Sequence, residues 1–198
     1  MMFGENFNST AIVELIEHDT IGAELGVWKG DTSSKLLKKA KHLHLVDAWS
    51  PIAFENSKEF GGYSNYLKRY KKLVASEDPE KFKIFYDKIY QDVCKRFSNQ
   101  PVTIYRMVTD KWFDLYESLI QTDKNKLLDW IYIDASHEYE GCLKDLTNSF
   151  RVLKSNGIIY GDDYAENKPG VINAVNDFIK KNDLKLELFN KNQYRIKL

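Results

Sequence analysis

The sequence is short of several things, and each shortage excludes a class of protein. Its apolar runs are a handful of residues long, such as Gly157 to Gly161. A membrane-spanning helix needs about 20 apolar residues in a row, so no membrane partner is expected. A basic surplus is also missing: 29 Lys and Arg face 29 Asp and Glu, a formal net charge of zero. General nucleic-acid binders carry excess cations to neutralise phosphates, so no nucleic-acid partner is expected either. Cysteine is scarce, with only Cys94 and Cys142, too far apart to form a local metal-binding motif. Both are expected to be reduced core thiols, which suits a cytoplasmic location. The opening Met1-Met2-Phe3-Gly4 has neither a basic start nor a long apolar segment, so no signal peptide is expected.

What remains is an ordinary globular composition. The 198 residues are 43% hydrophobic and 29% charged, enough for one domain over 1–198 with a real core and no need of disulfides. Short apolar runs alternate with helical periods, the pattern of a parallel α/β sheet. Helices are expected at 9–18, at 32–40 with Asp31 or Thr32 as N-cap, at 110–120, at 138–153 closed by Gly157, and at 169–181. Strands are expected at 21–27, 42–46, 102–107, 130–133 and 158–160, followed by a hairpin of 184–189 and 194–198 around Asn190-Lys191-Asn192. Five parallel strands and a terminal hairpin make a doubly wound, Rossmann-like sheet. Between the second and third strands lies an insertion at about 51–100, with two amphipathic helices and ten basic against seven acidic residues.

In such a sheet the ligand binds beyond the carboxyl ends of the strands. Acidic residues stand at these ends: Glu24, Asp47, Asp134, and the adjacent Asp162 and Asp163. After Glu24 the chain runs Leu25-Gly26-Val27-Trp28-Lys29-Gly30-Asp31. Gly26 can bring backbone close to a ligand, and Gly30 can hold an unusual torsion. The spacing is not the G-x-G-x-x-G of dinucleotide sites, and an acid there suits a cationic group better than a pyrophosphate. Asp47 lies 23 residues after Glu24, where related folds hold ribose hydroxyls. Residues 129–163 hold seven acids and three bases. If the fourth and fifth strands are neighbours, Asp134, Asp162 and Asp163 converge, and either share a proton or hold a cation. Oxygen ligands suit Mg2+, which could lower the pKa of a bound hydroxyl. His137, three residues after Asp134, is placed to act as the general base.

Four segments, Glu24-Leu25-Gly26-Val27-Trp28-Lys29-Gly30-Asp31-Thr32-Ser33, Leu45-Val46-Asp47-Ala48-Trp49, Ile133-Asp134-Ala135-Ser136-His137-Glu138-Tyr139 and Leu153-Lys154-Ser155-Asn156-Gly157-Ile158-Ile159-Tyr160-Gly161-Asp162-Asp163-Tyr164, resemble class I S-adenosylmethionine-dependent methyltransferases. More narrowly they resemble the macrocin-type sugar O-methyltransferases and, more distantly, catechol O-methyltransferase. The resemblance runs from about residue 20 to 198. It implies seven strands, the last antiparallel, and S-adenosyl-L-methionine as cofactor. It implies that Glu24, Gly26, Gly30 and Ser33 surround the methionine part, that Asp47 takes the ribose, and that Val108 and Thr109 border adenine. Trp28, which replaces the middle glycine of the usual loop, and Trp49 are expected beside the cofactor. Asp134, Asp162 and Asp163 match the metal acids of metal-dependent members, with no choice made between the last two. Asp134 and His137 match the catalytic positions.

The implied activity is O-methylation of a small-molecule or sugar hydroxyl, with Mg2+ orienting and acidifying that hydroxyl. No Pro-Pro-Tyr loop of nitrogen methyltransferases follows the fourth strand; the four prolines are never adjacent. The insertion is expected to be a lid or acceptor wall, rich in Tyr and Phe, and a homodimer is expected to close the site with it. The alternatives are a non-catalytic scaffold with this fold and a nicotinamide-dependent oxidoreductase.

Overall fold

The computed structural model describes residues 10–190 and 192–198. The sheet has seven strands: β1 (Thr20–Leu25), β2 (Ala40–Asp47), β3 (Val102–Arg106), β4 (Leu128–Ile133), β5 (Leu153–Gly161), β6 (Leu186–Phe189) and β7 (Gln193–Lys197). Their order is β3-β2-β1-β4-β5-β7-β6. β1 to β5 pair in parallel, whereas β7 runs antiparallel to both β5 and β6. This is the expected doubly wound sheet with its antiparallel end.

Seven α-helices accompany it among the described residues: α1 (Thr10–Leu15), α2 (Asp31–Leu36), α3 (Tyr63–Tyr70), α4 (Pro79–Arg96), α5 (Thr109–Thr122), α6 (Tyr139–Val152) and α7 (Pro169–Asn182). Each face of the sheet buries its own apolar cluster. On one face, Leu25, Ile131 and Ile159 meet Trp112 and Phe113 of α5, Leu146 of α6 and Phe178 of α7. On the other, Leu43, Leu45 and Trp130 meet Ile12 of α1, Leu36 of α2 and Phe82 of α4. Strands covered on both sides read as continuous apolar runs rather than alternating ones, and Trp130–Ile133 is such a run.

Three local expectations change. Gly157 does not close a helix. α6 ends at Val152 and β5 begins at once, with a bulge: Leu128 and Trp130 of β4 face Leu153 and Ile158 of β5. Gly157 sits in that bulge, where a side chain would press on Leu153 at 2.9 Å. The N-cap of α2 is Gly30, at φ 79°, rather than Asp31 or Thr32. Cys142 is buried as expected, but Cys94 is only half-buried; both are free thiols. Of the expected hairpin tip, Lys191 lies outside the described residues, as does residue 9 of the first helix. None of the described helices is long and apolar enough to cross a membrane.

The insertion is largely its own core. Phe54 stacks on Tyr66 at 4.1 Å, and Phe60 and Tyr70 pack on the same ring. Tyr66, Phe82 and Tyr86 are buried. Much of the aromatic surface expected to wall an acceptor therefore serves to hold the insertion together.

His44 of β2 is 9% exposed and lies between Tyr105 and Tyr116, whose hydroxyls reach its ring nitrogens at 3.4 and 3.2 Å. Burial, and then the neighbouring His42, push its pKa down to about 4. The unfolded chain therefore binds the extra proton first, and His44 makes stability fall as pH drops from the ordinary 6.5 toward 4. The buried Glu24, raised to about 8, works in the opposite sense over 4.5 to 8. The comparison with a His44→Phe variant isolates the histidine. Between pH 7.5 and 5.5 the wild type should lose about 1 kcal/mol more than His44→Phe in urea denaturation. Parallel pH profiles for the two proteins would remove this assignment.

Candidate active site

The carboxyl ends of β2, β1, β4 and β5 lie side by side, and the acidic residues emerge there. Glu24 is 1% exposed. One carboxylate oxygen accepts from Ser33 of α2, while Oε1 is buried without a hydrogen-bond partner. Burial is the main cause that raises its pKa to about 8, eased by Ser33 and reinforced by Asp47. A bare buried oxygen at the strand exit fits a cationic ligand group.

Asp47 does not stand free. Its Oδ2 accepts from the Trp28 amide at 2.9 Å and its Oδ1 from the Trp49 amide at 2.7 Å. Burial nonetheless keeps its pKa above the usual range, against these amide hydrogen bonds. Each oxygen retains a lone pair for a further donor, such as a hydroxyl. The turn after β1 explains why Trp28 can replace a glycine. Trp28 holds φ at 51°, a left-handed torsion that glycine usually supplies. Its amide is tied to Asp47, its carbonyl accepts from Trp49 Nε1 at 2.8 Å, and its ring packs on Phe85 and Tyr86 of α4. Gly26, at φ 89°, is required for another reason: a Cβ there would collide with the Asp134 carbonyl. The exits of β1 and β4 are that close.

Past β4 and β5 the acids separate into two environments. Asp162 is held by the sheet: Oδ2 accepts from Tyr132 at 2.9 Å and Gln193 at 3.2 Å, and Oδ1 from Asn192 at 2.7 Å. Asp163, at φ 62°, turns the other way and meets His137 Nε2 at 2.6 Å. Burial acts to raise the Asp163 pKa, but the His137 hydrogen bond, with the charge of Lys168, brings it below the usual value. Asp134, His137 and Asp163 each offer a ligand atom, all within 4.8 Å of one another. Burial, then the charges of Asp162, Asp163 and Glu24, push the Asp134 carboxyl well above the ordinary range. The cavity that these residues border together with Asp162 is about 10 Å3, room for a single water or ion. A far larger groove, about 470 Å3, lies away from these acids between α6 and α7.

Val108, the 40% exposed N-cap of α5, follows Met107, whose amide donates to the Asp47 carbonyl at 3.0 Å. Thr109, next to it, gives its side-chain hydrogen bond to the buried Asp145. Two contributors were not singled out by sequence reasoning. Lys168, the N-cap of α7, reaches His137 Nδ1 with Nζ at 2.6 Å. Glu138 accepts from Ser57 Oγ and from the amides of Lys58 and Glu59 at 3.1 and 3.2 Å, joining the insertion to the loop that carries His137. Lys168-Pro169-Gly170 at a helix start was a visible signal, but its partner lies 31 residues away.

The methyltransferase-domain family model matches residues 23–164. The chain belongs to that family. This places it among S-adenosylmethionine-dependent class I methyltransferases, and the oxidoreductase alternative falls away. A search of curated proteins gave no match. Among solved structures, the chain is similar to SMU.1697c of Streptococcus mutans, solved in complex with S-adenosylhomocysteine, at 10% identity and TM-score 0.54, covering 99% of each chain. It is similar to the O-methyltransferase NovP at 18% identity and TM-score 0.56, covering 96% of this chain and 77% of that one. An rRNA methylase from Streptococcus thermophilus gives 9% identity and TM-score 0.52, over 100% and 97% of the two chains. At these identities the likeness is one of fold.

The contact at Gly26 gives a direct test. A Gly26→Ala protein combines a backbone collision with a disfavoured torsion, so it should lose roughly 2–4 kcal/mol of stability in urea denaturation. A stability within 0.5 kcal/mol of wild type, roughly the scale of a neutral surface change, would show that the two strand exits are not in contact.

Proposed function

We propose that the chain is an S-adenosylmethionine-dependent O-methyltransferase, assisted by a divalent metal, that acts on a hydroxyl of a small molecule or sugar. The observation that carries this reading is the meeting of Asp134, His137 and Asp163 around an ion-sized space. S-adenosylmethionine supplies an electrophilic methyl group on sulfonium. Glu24, through its bare oxygen, receives the cofactor's ammonium group, and Asp47 receives its ribose hydroxyls. Gly26, Trp28, Gly30 and Ser33 shape that half of the site, and Val108 and Thr109 border the adenine.

Asp134 and Asp163 are the principal metal ligands, with His137 beside both. Carboxylates suit Mg2+, and an imidazole nearby widens the choice to Mn2+. A bound divalent ion supplies Lewis acidity and lowers the pKa of a hydroxyl. Asp162 is the less suited acid, since Tyr132, Asn192 and Gln193 already occupy it. His137 takes the hydroxyl proton, and a positioned base of this kind contributes about 10²–10⁴-fold. An acidic rim repels a phosphate backbone, which favours a small neutral or cationic acceptor over nucleic acid.

Residues 1–198 act as one methyltransferase domain, with 51–100 as a lid latched through Glu138 to Ser57, Lys58 and Glu59. A cytoplasmic location fits the two free thiols.

The test begins with calorimetric titration of S-adenosylhomocysteine, with NAD as control. Micromolar binding of the former alone is expected; binding of neither would favour a scaffold. Methyl transfer to hydroxylated acceptors should then require Mg2+ or Mn2+, and full turnover in chelator would remove the metal. Asp163→Asn should lower turnover by about 10²-fold, the scale of a lost catalytic group, and far more than Asp162→Asn. Equal losses would show that the two acids are not distinguished.

Glu24 adds a pH dependence. In the free protein its carboxyl carries a proton below about 8, and an ammonium ligand needs it ionised. S-adenosylhomocysteine affinity should therefore fall as pH drops from 8 to 6.5, approaching about tenfold per pH unit. Glu24→Gln should bind more weakly and without that slope. A pH-independent wild type would detach Glu24 from the ammonium.

A further inference from the structure

The His137 ring is held at both nitrogens. Nδ1 faces Lys168 Nζ at 2.6 Å and Nε2 faces Asp163 Oδ2 at 2.6 Å. A lysine ammonium can only donate. Nδ1 is thus the acceptor, and Nε2 carries the hydrogen that points at Asp163. In this arrangement Nε2 offers no lone pair to the acid cluster. Any use of Nε2 as ligand or base moves the hydrogen to Nδ1, where it would meet the hydrogens of the lysine head-on.

Charge points the same way. Lys168 is the cation whose field acts on both Asp134 and Asp163. A divalent ion placed among these acids would sit next to it and repel it. We infer that Lys168 is a tethered cation serving the Asp134–His137–Asp163 cluster, and that a divalent metal binds there only by displacing its ammonium from His137. This rests on the metal-assisted reading above and names what the metal must compete with.

The backbone around Lys168 is suited to such an exchange. The Lys168 carbonyl accepts from the amides of Val171 and Ile172 at 3.1 and 3.3 Å, as the start of α7. Pro169 takes the first helical position, where its missing N–H is harmless. Gly170 lies directly on the backbone of residues 137–139; a Cβ there would press on the Tyr139 amide at 2.8 Å. The helix start is therefore fixed against the loop. The half-buried lysine side chain can swing to solvent while α7 and the His137 loop stay in place.

The test is Mn2+ binding to the whole protein, followed by electron paramagnetic resonance and calorimetry, without acceptor. Lys168→Met should bind Mn2+ about tenfold or more tightly than wild type, the scale of removing one nearby positive charge. Lys168→Arg, which keeps the charge, should stay near wild type, and Asp163→Asn should lose binding. Wild-type binding with Lys168→Met equal or weaker would overturn the displacement while leaving the metal reading intact. No Mn2+ binding by either protein, with S-adenosylhomocysteine still bound, would overturn the metal reading and the displacement together. The wild type offers a second measurement that needs no variant: long-range proton–nitrogen NMR of His137. Its hydrogen should sit on Nε2 without metal, and loss of the Lys168 contact should shift the Nδ1 resonance on addition of Mg2+ or Zn2+. Saturating metal with an unchanged His137 signal would overturn the displacement.

Discussion

Crowding of carboxylates at one edge of the sheet is the constraint from which the site follows. The order β3-β2-β1-β4-β5 brings four strand exits together, and each ends in acid. Carboxyl groups leave water without penalty only where hydrogen-bond partners replace it, and otherwise tend to keep their protons. The structure discharges them unequally. Asp47 has two backbone amides, Asp162 has three side-chain donors, and Asp163 has a histidine. Glu24 has a serine on one oxygen and nothing on the other. Of these four acids Glu24 has the most to gain from a donor, because only its Oε1 is left without a partner.

The insertion is part of the same solution. Its helix α4 packs Phe85 and Tyr86 against Trp28, and Arg96 donates to the Lys29 carbonyl at 2.9 Å. These contacts offset the strain of a non-glycine residue at positive φ, which costs about 1–2 kcal/mol. The turn around Glu24 is thus stabilised by a segment from outside the sheet. The loop after β4 is tied to the insertion too, through Glu138. One segment therefore grips the loops after both β1 and β4.

Much of this was legible in the sequence. Apolar runs joined by helical periods identify five parallel strands and a terminal hairpin, and the rule that ligands bind at strand exits leads to Glu24, Asp47, Asp134 and the undivided pair Asp162 and Asp163. Boundaries were less legible. The Lys154-Ser155-Asn156-Gly157 segment reads as a helix stop and a turn, yet it is a bulge inside β5 because pairing with β4 resumes on both sides of it. The aromatics of the insertion read equally as a wall or a core, and only packing distinguishes the two. Lys168 and the Glu138 latch depend on contacts 31 and about 80 residues apart, which no local pattern encodes.

The adjacent acids at the end of β5 show the limit most clearly. In an extended strand successive side chains point to opposite faces, so Asp162 and Asp163 cannot serve the same space without a break in the backbone. Asp162 continues the strand's hydrogen bonding and is absorbed between Tyr132 and Gln193. Asp163 supplies the break, because aspartate is among the few residues that tolerate a left-handed torsion. That single torsion carries its carboxylate to His137, and through His137 to Lys168. Composition and spacing hold both acids equal; both border the small cavity, and one backbone angle decides which of them meets His137.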